Sequence, residues 1–73
     1  MTELTRCQLR ALSLAADGLG VGEIAELMNI SVRTAEHHLK TARKAMDSKT
    51  TAGAVASAIR QGLITSVVAI IIG

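Results

Sequence analysis

Residues 23–46 read EIAELMNISVRTAEHHLKTARKAM, and the spacing of their apolar side chains leaves little choice of fold. Ala35, Leu39, Ala42 and Met46 recur at i, i+4, i+7 and i+11, the repeat of one helix face, whereas a half-buried strand alternates every second residue. Ser31 stands before this run as an N-cap acceptor. A shorter stripe, Ile24, Ala25 and Met28, precedes it. Between the two lies Asn29, where the chain must turn sharply and where Asn tolerates a left-handed backbone better than most residues other than Gly. Ala25 and Ala35 put a small residue on each helix where the two would cross. A short helix, a turn of this chemistry and a longer helix with small residues at the crossing specify a helix-turn-helix rather than an ordinary helical hairpin.

The surroundings are expected to be helical as well. The chain has 73 residues without Phe, Trp, Tyr or Pro, so it supports one small core made of Leu, Ile, Val, Met and Ala in closely approaching helices. A first helix is expected over 5–17, where Thr5 and Gln8 form a capping box and Gly18 ends it. Its inward stripe is Leu12, Ala15, Ala16 and Leu19, and Leu9 and Leu14 widen the apolar surface beyond what its own core needs. The next helices are expected over 21–28, with Glu23 in the first turn, over 32–46, and over 51–61 after Thr50. In the last, Ala52, Val55 and Ile59 form one apolar stripe, and Ala54 and Ala58 form a second beside Ser57 and Gln61. A helix apolar on two sides has a second neighbour, here expected to be another copy of itself. The reading is all-α: a four-helix helix-turn-helix domain over 1–64 and an apolar tail over 65–73. The closing run LITSVVAIIIG is shorter than the roughly 20 residues that span a membrane. Three readings stay open: it packs against the first and fourth helices, it meets a partner, or it is the truncated part of something longer.

Charge is unevenly placed within a formal total of +2: residues 1–32 hold four acids and two bases, and 33–49 hold five bases and two acids. On the helix over 32–46, the side opposite the apolar stripe carries Arg33, Glu36, His37, Lys40 and Lys44, with Arg43 at its flank and no Leu, Ile or Val between them. Such a face suits a polyanion, although a basic run alone more often marks a solvated surface. Catalysis has no convincing set of residues, since Cys7 with a remote His and scattered Ser and Thr lack any elbow or loop motif. No enzyme and no cofactor are expected. No metal site is expected either, because His37 and His38 are adjacent, point about 100° apart on a helix and have no third ligand near in sequence. A single cysteine excludes an internal disulfide and suits a reducing compartment. No signal-peptide pattern is visible, so the expected setting is cytoplasmic, with no membrane partner.

In order and spacing, Leu4-Thr5, Leu12, Ala16, Gly18-Leu19, Glu23-Ile24-Ala25, Leu27, Ile30-Ser31, Thr34, His38 and Ala54-Val55 resemble the LuxR-type helix-turn-helix domain, also called GerE-like. The resemblance covers residues 4–64, and Gln61-Gly62-Leu63-Ile64 is similar to the closing segment of its quorum-sensing branch. It implies a third helix that enters the DNA major groove and a fourth that pairs two copies. Carried over, Thr34 and Thr41 hold phosphates and Glu36, His37 and Lys40 face base edges. Lys can donate to guanine and Glu can accept from cytosine. Three departures stand out: Arg6, Cys7 and Gln8 replace Pro-Arg-Glu, Ala45 replaces a Lys, and Asp47 replaces a Gly.

The expected function is a sequence-specific DNA-binding transcription regulator that acts as a homodimer on a two-fold symmetric site. Its expected DNA-contacting residues are Arg33, Thr34, Glu36, His37, Lys40, Thr41 and Lys44, and its expected dimer contacts are Ala54, Ser57, Ala58 and Gln61. RNA polymerase is a further expected partner. Two alternatives stay open. One is a sigma-factor promoter-reading region, which TARKAM over 41–46 also resembles but which normally stops near Met46. The other is an interaction module that sequesters a related regulator through Leu9, Leu14, the fourth helix and the tail.

Overall fold

The computed structural model describes residues 4–64, in which four helices follow one another: α1 (Arg6–Ala16), α2 (Val21–Met28), α3 (Val32–Ala45) and α4 (Thr51–Arg60). The tail over 65–73 lies outside the described residues. The helix starts are chemically defined. Gln8 N–H donates to Thr5 Oγ1 and Thr5 N–H to Gln8 Oε1, closing the capping box of α1. Ser31 Oγ accepts from Thr34 N–H at 3.1 Å, and Thr50 Oγ1 from Gly53 N–H at 3.0 Å. Gly20 has no side chain to cap α2, but Glu23 Oε1 accepts from its N–H at 3.2 Å.

All four helices stop in the same way. Gly18, Asn29, Asp47 and Gly62 have positive φ, and after each of them the next N–H reaches back five residues: Leu19 to Leu14 O, Ile30 to Ala25 O, Ser48 to Arg43 O and Leu63 to Ala58 O. This is the Schellman arrangement, which satisfies carbonyls that a helix end leaves open. Asn29 (φ 56, ψ 47) is therefore the residue that turns α2 into α3. Asp47 (φ 54) holds the same conformation with a side chain that only partly tolerates it, which explains why glycine suits that position. Asp47→Gly is expected to raise the unfolding free energy by about 0.5–1 kcal/mol, or the melting midpoint by a few degrees. A circular-dichroism melt checks this, and an unchanged or lower midpoint would contradict it.

The core is built largely from small residues. Of the eleven buried residues among those described, Ala11, Ala25, Ala35, Ala42, Ala54 and Ala58 are alanines, and only Leu12 and Ile24 are large side chains buried almost completely. Alanine at the contacts lets the helix backbones approach closely, and α3 packs against each of the other three. The inner stripe of α3 is as the spacing implies, with Ala35, Leu39, Ala42 and Met46 all buried.

Two other faces differ in part from expectation. On α1 Leu12 is buried and Ala15, Ala16 and, just after the helix, Leu19 pack against the core as the spacing implies, but Ala11 joins them and Leu9 and Leu14 are half-buried against the same core. On α4 both apolar lines reach the core: Val55 and Ile59 are partly buried against it, and the line of small residues is the deeper one. Ala54 and Ala58, expected at a dimer contact, are 0% exposed, while Ala52 and Ala56 lie outside. Small residues are needed here because α4 lies against both α1 and α3. Among the described residues, no helix is long and apolar enough to cross a membrane.

Candidate nucleic-acid interface

α3 presents its polar side to a groove bounded by the starts of two other helices. Arg33, Glu36, His37, Lys40 and Arg43 line a depression of about 620 Å³ together with Val21 at the head of α2, Thr51 at the head of α4, and Leu39. Three cationic side chains face one carboxylate, and two helix N-termini, each an end of partial positive charge, stand at the rim. Glu36 follows Arg33 by three residues and precedes Lys40 by four, so its charge sits between theirs on one strip of helix. The groove thus combines net positive charge with one acceptor whose position along the helix is defined.

Arg43 belongs to this groove although the periodicity puts it only at the flank of the polar face. Its Nη1 donates to Thr51 Oγ1 at 3.1 Å, which ties the guanidinium to the start of α4. That hydrogen bond is a tertiary contact eight residues away and has no counterpart in helical spacing. Lys44 lies elsewhere, exposed beside a smaller hollow with Asp47, Ser48 and Lys49.

Thr34 and Thr41 lie seven residues apart and share a different edge of α3. Ser31 Oγ and Thr34 Oγ1 are 2.8 Å apart. When Ser31 is the donor, it accepts from Thr34 N–H while donating to Thr34 Oγ1, and the Thr34 hydroxyl proton then points to solvent. Thr41 differs. Its hydroxyl donates back to the carbonyls of His37 (3.0 Å) and His38 (3.1 Å) and accepts from Gln8 Nε2 at 2.7 Å. A phosphate only accepts, so Thr41 has no proton left for one unless it gives up its helix bond. Its role in the structure is to pin α3 to the capped end of α1. Gln8, which the sequence marks only as a cap, is its partner: the amide oxygen caps α1 while the amide nitrogen holds α3. A carboxylate at position 8 lacks that second donor.

His37 is exposed at the groove and His38 is half-buried, their rings 6.3 Å apart and tilted by 53°. Among the described residues, no group of three His, Cys, Asp or Glu side chains is placed to hold a metal ion. Ser57 on α4 and Gln61, the C-cap residue just after it, are joined by a 3.2 Å bond from Gln61 Nε2 to Ser57 Oγ.

Residues 1–46 match the family model described as Sigma-70, region 4. The chain is also 40% identical over 63 residues to the transcriptional activator protein BjaR1 of Bradyrhizobium diazoefficiens, a stretch covering 86% of this chain and 26% of that protein. The chain therefore spans about a quarter of the length of this curated relative. An alignment of 63 residues does not fit within 1–46, so this second likeness extends beyond α3.

Proposed function

The chain belongs to the Sigma-70, region 4 family, and from that premise we propose that it is a transcription regulator that reads double-stranded DNA by laying α3 in the major groove. The observation that carries this reading is the groove itself: Arg33, Lys40 and Arg43 supply cations, and Glu36 and His37 supply groups that discriminate between base edges. Thr34 and Lys44 flank it as phosphate contacts, while Thr41 orients the helix from behind.

Within helix-turn-helix regulators, the LuxR-type quorum-sensing branch is the finer reading. It draws support from the extent of the likeness to BjaR1, which reaches into the part of the chain that the family match leaves out. Homodimerisation through α4 goes with it. The surface for that contact is Ala52, Val55, Ala56 and Ile59, spaced i, i+3, i+4 and i+7, with Ala52 and Ala56 exposed and the other two half-buried. Ser57 and Gln61 lie beside this stripe and Ala54 and Ala58 behind it.

Selection of duplexes from a random pool by the 73-residue chain tests the reading as a whole. Recovery of a two-fold symmetric site with half-sites about one helical turn apart is expected. Binding to it should fall with log salt at a slope of roughly −3 to −5 per bound chain, as about four to five cations displace counterions. Binding that ignores salt, or no duplex recovered, contradicts the proposal.

A second reading, a promoter-reading region that works with RNA polymerase, is favoured by one observation: the family match ends at Met46. Capture of core polymerase by the chain in the absence of DNA separates it from the first. Sequestration of a related regulator loses part of its basis, because Leu9 and Leu14 pack into the core.

A further inference from the structure

Among the described residues, three large apolar side chains stand exposed: Leu27 (56%), Val32 (44%) and Leu63 (39%). Leu27 is on the outer side of α2 and Leu63 follows α4, whereas Val32 is the first residue of α3. A lone apolar side chain on a surface is ordinary, and position is what distinguishes this one. The leading turn of a recognition helix is the part that meets base edges. The remainder of that turn's exposed surface is polar, being formed by Ser31, Arg33 and Thr34.

We propose that Val32 reads the 5-methyl group of a thymine in each half-site, a contact that rests on the DNA-binding reading above and makes it more specific. The methyl is the one apolar group that a base pair presents in the major groove, and a branched aliphatic side chain at the tip of the helix is its natural complement. Glu36 is four residues further on and projects from nearly the same edge of α3. Four residues advance about 6 Å along a helix, close to two base-pair steps of about 3.4 Å. The thymine read by Val32 is therefore expected one to two base pairs from the pair whose amino group meets Glu36. Val32 makes none of the buried contacts of the core, so its replacement leaves the fold in place, and Ser31 caps the helix independently of it.

The test uses the duplex that the 73-residue chain selects, with each thymidine in turn replaced by deoxyuridine, which removes the methyl and nothing else. With the native chain, one position per half-site should weaken binding about fourfold, the transfer cost of one methyl group. With Val32→Ser and Val32→Ala, matched in circular dichroism to the native chain, the same replacement should have no effect. A flat uridine scan with native affinity overturns the assignment to Val32 and leaves the DNA reading standing. A uridine effect of equal size in the variants assigns the methyl to another side chain and likewise overturns it. If no duplex is recovered, both inferences fall together.

Discussion

Leu12→Ala is expected to be the most damaging single change to this domain, lowering its stability by about 2–5 kcal/mol. Leu12 is 0% exposed, and among the described residues it and Ile24 are the only two large side chains buried below 2%. The alanines around it belong to helix backbones held at a fixed spacing and cannot move in to fill the space, so the lost methyls leave a cavity as well as a lost transfer term. A single core in a chain of this size rarely supplies more than about 3–5 kcal/mol. Most of the population should therefore be unfolded or close to it at 37 °C. Urea denaturation followed by circular dichroism measures the change. Leu27→Ala is the control: Leu27 is 56% exposed, and its replacement should stay within about 0.5 kcal/mol of the native chain. If the two substitutions cost the same, the core is not where the packing puts it.

Both extremes were legible to different degrees in the amino-acid order. The helix ends were clear, because caps and stops are local chemistry: Thr5 with Gln8, Ser31, Thr50, and the left-handed Gly18 and Asn29 act on neighbours within five residues. The inner face of α3 was equally clear, since the residues opposite it are all polar. α4 was not. It has alanine or a larger apolar residue on both sides, so periodicity found two stripes and could not say which faced α1 and α3. Close helix approach selects for small residues, so Ala54 and Ala58 take the deepest contact while Val55 and Ile59 are only partly buried against the core.

The groove divides in the same manner. Arg33, Glu36, His37 and Lys40 share a strip of one helix, and helical spacing alone brings them together. Arg43 and Gln8 required tertiary contacts, one to Thr51 and one to Thr41, that join residues 8 and 33 positions apart. Such bonds carry no periodic signal. The family resemblance implies a phosphate contact for Thr41, and a resemblance carries over a residue's position but not the partner that occupies its hydroxyl.

Lys40→Ala is expected to weaken binding to the selected duplex by about 5- to 150-fold and to relax the preference at one base position per half-site. Lys40 lines the groove four residues after Glu36 and seven after Arg33, on the same strip of α3 that carries the base-reading candidates of its leading turns. Removing it takes away a hydrogen-bond donor that a guanine edge can meet, so the loss should be large on the selected sequence and small on non-specific DNA. Lys44→Ala provides the comparison. Lys44 is exposed one turn further along and outside the groove, and its loss should weaken every duplex alike while reducing the salt slope by about one. Competition of each variant between the selected site and a scrambled duplex, repeated at several salt concentrations, separates the two behaviours. Equal losses on both duplexes for Lys40→Ala would move Lys40 to the phosphate-contacting class and leave Glu36, His37 and Arg33 as the base-reading set. A specific loss for Lys44→Ala would mean that α3 enters DNA by its C-terminal half. In that orientation Val32 would lie clear of the bases, so the uridine scan and the lysine pair constrain the same docking geometry from opposite ends of one helix.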